Sequence, residues 1–263
     1  MDYSAILLAG ERTPDGAVAR AAGVPCKALA QVGGQPMLER VLATLAQVGR
    51  FTQCRVVGNP EFRNALNPVL AGFPGFAHWQ DGDGSPARSA ALAAAAIPAD
   101  QGILLTTADH PLLTPAMVAE LLATGDGPTG DVTAGLVRHS DVMASYPTAR
   151  CTALRFAGEA YCGTNLFLFR TARGRRLMTE WQRVEQARKT PWRVVGILGP
   201  VAVAGYLTGL LSLPRALRLL SKRTQLAIDT RLLSDARAAL DVDTVGDLEF
   251  ARTLLPAQPA SQA

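Results

Sequence analysis

Ala5-Ile6-Leu7-Leu8-Ala9 is an apolar run without a polar break, the pattern of a strand buried on both faces, as in a parallel sheet. It stops at Gly10. From Pro36 to Val48 the apolar positions fall at Met37, Leu38, Val41, Leu42, Leu45 and Val48, which is helical spacing with Pro36 in the first turn. Short units then alternate. A strand over Cys54–Val57 precedes a helix around Glu61–Leu70, and a strand candidate over Gly75–Trp79 precedes an alanine-rich helix over Ala87–Ile97. A strand over Gly102–Thr106 leads to a helix opened by Thr114-Pro115 and running through Leu122. Strand-helix alternation in such units predicts an α/β fold with a mostly parallel central sheet flanked by helices on both faces.

The second half changes texture. Strands are predicted over Asp131–Arg138, Cys151–Phe156 and Cys162–Phe169, and an amphipathic helix over Thr171–Arg188. Residues 194–213 carry no charge, with Arg193 before them and Arg215, Arg218, Lys222 and Arg223 after. Leu226–Ile228 reads as a last strand and Val245–Leu254 as a closing helix. We expect one domain over 1–255, with a helical, hydrophobic insertion at about 171–223 and a frayed tail over 256–263.

At 263 residues the chain can bury a full core, and 48% hydrophobic residues exclude a disordered one. A net charge of +4 without a dense Lys/Arg run argues against nucleic acid and suits phosphorylated ligands or anionic lipid. Cys26, Cys54, Cys151 and Cys162 form no C-x-x-C pair, so reduced thiols in a cytoplasmic protein are expected. The N-terminus lacks a basic region, and its apolar run is too short for a signal peptide.

Four stretches hold candidate chemistry. After the first strand, Gly10, Gly16 and Gly23 punctuate a loop with Arg12, Arg20 and Lys27; a glycine-ended strand followed by a basic loop presents N–H groups and cations to phosphates. The P-loop and Rossmann fingerprints are both absent. Asp109 ends the strand in Leu104-Leu105-Thr106-Thr107-Ala108-Asp109-His110-Pro111, at the sheet edge where α/β proteins place ligand groups. It suits Mg²⁺, which takes one or two protein carboxylates, or serves as a turn residue before Pro111. His110 has no ligand-spaced partner and reads as a bystander. Asp241 and Asp243 alternate on a short strand and point the same way, while Thr244 and Asp247 have the spacing of a helix cap. Gly82–Ala91 is a glycine-serine loop opening a helix, able to meet a ligand or to act only as a helix start.

These stretches together resemble the MobA-like nucleotidyltransferases, the group with molybdenum cofactor guanylyltransferases and cytidylyltransferases. Ala9, Gly10, Lys27, Gly34, Pro36, Met37 and Leu38 fall on that family's opening motif. Glu11 stands where a second glycine is usual, and the loop before Lys27 is longer. "TTADHPLLTPAMV" matches its metal-aspartate motif and Asp241-Val242-Asp243-Thr244 its closing one. The resemblance implies a GT-A-like, nucleotide-diphospho-sugar transferase-like fold and Mg²⁺-dependent transfer of an NMP from an NTP to a phosphorylated acceptor, releasing pyrophosphate.

On that resemblance Lys27, with Arg12 or Arg20, and Asp109 are catalytic, and Asp109 and Asp243 bind the metal. Leu8, Ala9, Gly10, Glu11, Gly84, Ser85, Arg88 and Ser89 join Lys27 and Asp109 around the nucleotide, Ser85 and Ser89 being alternative matches. Thr164, Asn165 and Asp241 face the acceptor. CTP is favoured over GTP on the serine loop, and the acceptor is a small molecule, a lipid or a headgroup precursor. A nucleotide-sugar-dependent glycosyltransferase is the rival, but Asp109-His110-Pro111 lacks the usual D-x-D. A membrane-peripheral protein that binds nucleotide without catalysis is another.

The uncharged stretch fits this picture in three ways. A membrane span has the length, yet Gly196, Gly199, Pro200, Gly205 and Gly209 interrupt it, and a span would part Asp109 from Asp243. Two short buried helices are the favoured reading. Peripheral contact of 194–223 with the inner face of a membrane is the other, its basic flank meeting anionic headgroups.

Overall fold

The computed structural model describes residues 2–11, 16–123, 130–179, 181 and 199–256. Ten strands are described: β1 (Tyr3–Leu8), β2 (Gln31–Val32), β3 (Gln35–Pro36), β4 (Phe51–Gly58), β5 (Ala77–Asp81), β6 (Gly102–Thr107), β7 (Val132–Arg138), β8 (Ala153–Phe156), β9 (Glu159–Phe169) and β10 (Ile228–Leu232). Between them lie α1 (Ala17–Ala22), α2 (Met37–Val48), α3 (Arg63–Ala71), α4 (Pro86–Ala95), α5 (Pro115–Leu122) and α6 (His139–Ser145). We number the later described helices α7 (Pro200–Leu207), α8 (Leu213–Thr224) and α9 (Val245–Leu254).

The main sheet runs β10-β7-β9-β6-β1-β4-β5, with β8 added on β9. Pairs β1–β4, β4–β5, β1–β6 and β7–β10 are parallel; β9 is antiparallel to β6, β7 and β8. The predicted mostly parallel core is present, and β9 is the strand that reverses. β1 is flanked by β4 and β6, so strand order switches direction there. From the carboxyl ends of β1 and β6 the chain departs in opposite directions along the sheet, to β4 and to β7, which leaves the crevice where α/β sheets bind ligands.

Alternation along β1 explains its double burial. Ala5 and Leu7 join Leu38, Leu42, Leu104 and Met117 on one face, whereas Ile6 joins Ile103, Leu105, Ala90 and Phe169 on the other. Helix starts follow the expected chemistry. Thr114 and Ser85 accept hydrogen bonds from the Met117 and Arg88 amides, each ahead of a first-turn proline. Thr244 and Asp247 form a full capping box.

Three expectations change. Cys151 and Cys162 are joined in a disulfide, not left as thiols. The β8–β9 register sets Ala153 opposite Cys162, which brings Cys151 within 6.0 Å Cα to Cα without any C-x-x-C spacing. Cys26 and Cys54 remain free and buried.

The uncharged stretch is not buried core where it is described. No residue of α7 is buried; Val201, Leu207 and Leu210 are 59%, 78% and 73% exposed. Gly199 and Gly209 stop α7 after eight residues; it packs on the β8–β9 turn, through Tyr206 on Phe156 and the Ala157 amide on the Leu211 carbonyl, and a Cβ on Gly199 at its start would come 3.0 Å from the Arg223 guanidinium at the end of α8. Among the described residues no helix is long and apolar enough to cross a membrane. Finally, the third strand sits two residues later than its apolar pattern suggests, at Ala77–Asp81. Of the helix expected over Thr171–Arg188, residues 171–175 form a bend and turns instead, 176–179 and 181 are helical, and 180 and 182–188 lie outside the described residues.

Candidate active site

Lys27 opens a one-turn helix, Lys27–Leu29, that follows the β1 loop. Its Nζ lies 2.5 Å from Asp109 Oδ2 and 3.3 Å from Asp243 Oδ1. Three distant parts of the chain therefore meet at one ammonium. Asp109 is placed by the sheet itself: the Ala108 amide donates to the Leu8 carbonyl, extending the β1–β6 ladder, and the Asp109 carbonyl accepts from the Val242 amide at 2.8 Å. That last bond lays 241–243 across the carboxyl end of β6. Lys27 and Asp109 are mostly covered, at 17% and 15% side-chain exposure, whereas Asp243 is 71% exposed and faces the opening.

Burial works against the Lys27 charge, but Asp109 and then Asp243 outweigh it and raise the pKa above the ordinary lysine value. The ammonium is therefore locked on. Asp241 behaves oppositely. Burial, followed by repulsion from Asp109 and Asp243, pushes its carboxyl up to about 6, and the Asn165 hydrogen bond offsets part of that rise.

Asn165 reaches Asp241 by an unusual backbone. Its φ is +51°, and its Nδ2 donates to Asp241 Oδ2 at 2.7 Å. Here β9 is bulged against β7: four steps along β9, from Gly163 to Phe167, oppose the two from Leu136 to Ala134. The bulge sends Thr164 inward, where it is buried with its hydroxyl donating to the Gly135 carbonyl, and frees Asn165 for Asp241. Only a glycine fits at 135, since a Cβ would come 2.4 Å from Thr164 Oγ1. A lone glycine inside an apolar strand is the signal that marks this bulge in the sequence.

Glu11 turns towards the chain. Its Oε2 accepts the Lys27 amide at 2.7 Å, tying the end of β1 to the start of the lysine turn. Leu8 and Ala9 lie at the strand end and Gly10 is exposed beside them. Arg12 lies outside the described residues, and Arg20 is exposed on α1.

The loop before α4 shares the carboxyl edge with this cluster but makes its own contacts. Ser85 caps α4, Ser89 Oγ accepts the Asp83 amide at 2.9 Å, and Arg88 pairs with Asp83 at 2.5 Å beside Gly84. Trp79, which the sequence did not single out, closes the edge of β4. A Cβ on Gly58 would meet its ring at 2.7 Å, and its Nε1 donates to Asp81. His110 is fully buried, and burial holds its pKa below the ordinary histidine range.

Among the described residues no three His, Cys, Asp or Glu side chains form a cage. Asp109 Oδ1, however, is buried without a hydrogen-bond partner, and Asp243 is open beside it. One sheltered carboxylate and one exposed suit Mg²⁺, which fills its remaining positions with phosphate oxygens and water.

Residues 5–160 match the family model described as the MobA-like NTP transferase domain, and the chain belongs to that family. It is a nucleotidyltransferase. A hypothetical transferase structure from Thermus thermophilus is 26% identical, with a TM-score of 0.77 over 94% of this chain and 100% of that one. CMP:2-keto-3-deoxy-manno-octonic acid synthetase, solved with CTP, is 16% identical with a TM-score of 0.61, covering 97% of this chain and 98% of its own. The 4-diphosphocytidyl-2C-methyl-D-erythritol synthase of Anaerococcus prevotii is 12% identical with a TM-score of 0.57, over 97% and 98%. These last two share the fold. No curated protein matches the sequence.

Proposed function

We propose that the cluster at the carboxyl ends of β1 and β6 transfers a nucleoside monophosphate, CMP ahead of GMP, from the triphosphate to a phosphorylated acceptor. An acceptor phosphate oxygen attacks the α-phosphorus, the bond from that phosphorus to the β-phosphate oxygen breaks, and pyrophosphate leaves with its electron pair. The observation that carries this reading is Lys27 held between Asp109 and Asp243. A permanently charged ammonium at the head of the β1 loop matches the excess negative charge of a triphosphate, and positioning with charge neutralisation is what this chemistry needs. Leu8 to Glu11 border the nucleotide with backbone, and the loop of Gly84, Ser85, Arg88 and Ser89 lies on its base side. Arg12 is the second candidate cation.

Asp109 through Oδ1, with Asp243, would hold Mg²⁺, which when bound supplies charge to the α-phosphate oxygen. Asp241 and Asn165 face the acceptor side as one unit. Thr164 does not reach it, its hydroxyl being spent on Gly135. The preference for CTP rests on the serine loop and on the cytidylyl enzymes among the structural neighbours. We take 1–255 as one working unit, because Asp243, late in the chain, completes a site begun at β1.

Pyrophosphate release with each of the four NTPs, Mg²⁺ and a panel of phosphorylated alcohols, sugars and lipid precursors tests the proposal. Release with one NTP and one acceptor, lost in Asp109→Ala, is the expected result. Absence of NTP binding by calorimetry overturns it.

A further inference from the structure

Six large hydrophobic side chains are prominently exposed among the described residues, and four of them, Val201, Tyr206, Leu207 and Leu210, fall in one ten-residue stretch. A fifth, Leu154, lies on β8, whose turn into β9 carries α7. Clustering of this kind marks an interaction surface. Its surroundings choose the partner. From Gly199 to Ile228 there is no acidic residue, and α8 displays Arg215, Arg218 and Lys222 at helical spacing, all exposed. Glu159, at the nearby turn, is neutralised by Arg138 at 2.7 Å. The leucines of α8 are only half-buried, and the short 208–212 connection, with Gly199 at the start of α7 against the Arg223 guanidinium at the end of α8, sets the cationic helix beside the bare apolar one.

We propose that α7, the β8–β9 turn and the basic face of α8 dock on an anionic lipid bilayer. Val201, Leu207 and Leu210 enter the boundary between headgroups and acyl chains, and Arg215, Arg218 and Lys222 meet lipid phosphates. Strand direction places the β8–β9 turn, which carries α7, on the site's side of the molecule. β7 runs parallel to β6 and β9 antiparallel to both, so the turn at 157–158 rises beyond the carboxyl edge that carries Asp109. A second copy of the chain is a poorer occupant, because a twofold contact would set the cationic helix beside its own copy. Docking does not depend on the transfer chemistry proposed above.

The test is flotation of the full chain with phosphatidylcholine vesicles, with and without phosphatidylglycerol. We expect it to float with anionic vesicles, less so as salt rises, and to stay behind with neutral ones. Leu207→Glu/Leu210→Glu and Arg215→Glu/Arg218→Glu should each weaken partitioning at least about tenfold while melting like the parent, since these side chains are exposed. Pyrophosphate release with soluble substrates, measured without vesicles, should be unchanged, which separates this proposal from the catalytic one. A parent chain that never floats, or a leucine variant that floats equally well, overturns the proposal. Conversion of a dimer to a monomer by the leucine pair, without vesicle binding, overturns it too and gives the surface to a second copy.

Discussion

Asn165 sits in the left-handed region at φ +51° and from there donates its amide to the Asp241 carboxylate at 2.7 Å. A non-glycine residue held in that region costs of the order of 1 kcal/mol, which the surrounding structure must offset. The offset comes from β9 itself, whose bulge is pinned by Thr164 on Gly135 below and by Asp241 above. The strained residue is also the one we propose to face the acceptor, through its bond to Asp241.

Asp241 should make the metal-free, nucleotide-free protein less stable as pH rises. Its carboxyl titrates at about 6 in the fold against an ordinary 3.8. A raised carboxylate pKa means the native state keeps a proton that the unfolded chain gives up. Stability therefore falls between about pH 4 and 6 and is flat above. At pH 7.5 Asp241→Asn should be more stable than the parent by about 1–3 kcal/mol, each pKa unit being about 1.4 kcal/mol. Thermal melts in chelator at pH 4 and 7.5 measure it; equal gains at both pH values would contradict the assigned cause. Asn165→Ala should move the same titration upward, read from carboxyl carbon shifts.

Lys27→Met should lower kcat/KM for pyrophosphate release by about 10²–10³-fold, the scale of losing one electrostatic contact to a developing charge. The variant also separates two roles of the lysine. Without its ammonium, Asp109, Asp241 and Asp243 repel one another with nothing between them, so the apo protein should melt lower. Added Mg²⁺ should then raise the melting temperature of the variant more than that of the parent. Equal Mg²⁺ gains would argue against Asp109 and Asp243 sharing an ion.

Local signals made much of this legible. The apolar run of β1, the helical spacing of α2 and the Thr244–Asp247 cap are written within a few residues of each other, and the structure follows them. The meeting of Asp109 with Asp243 is not local; only the family resemblance joins positions that far apart. Two features escaped because tertiary packing sets them. The Cys151–Cys162 pairing depends on the β8–β9 register, and the exposure of α7 depends on whether another layer covers it, which apolar composition does not state. Asn165 was a candidate by motif, but its left-handed backbone follows from a bulge whose one sequence trace is Gly135.

Thr244→Ala should cost about 1 kcal/mol, because Thr244 accepts the Asp247 amide while Asp247 accepts the Thr244 amide. That lowers the melting temperature by roughly 2–4 °C in a chain of this size. The functional effect should be selective. Asp243 immediately precedes the cap, so a loosened first turn of α9 should raise the Mg²⁺ concentration needed for half-maximal activity and leave NTP affinity without metal unchanged. A matching fall in metal-free NTP binding would mean the substitution disturbs more than the Asp243 arm.

The disulfide offers a stability test that sequence spacing pointed away from. Cys151 and Cys162 close a loop with a separation of 11 residues, and cross-linking a loop of that size contributes about 2–3 kcal/mol in the chain-entropy view. Reductant should therefore lower the melting temperature by several degrees and leave Cys162→Ser, already missing the bridge, unmoved. Alkylation should separate the thiols as well. Before reduction the folded protein should take up no label, because Cys26 and Cys54 are buried and burial pushes the Cys26 thiol up to about 11, far from the reactive thiolate. After reduction Cys151, which is half-exposed, should label first, ahead of the fully buried Cys162. The bridge also anchors the start of β9, three residues before Asn165, so reduction should shift the Asp241 titration if the hairpin supports the bulge. An unchanged melting temperature together with two labelled cysteines before any reductant would return all four residues to the thiol state that their spacing suggests.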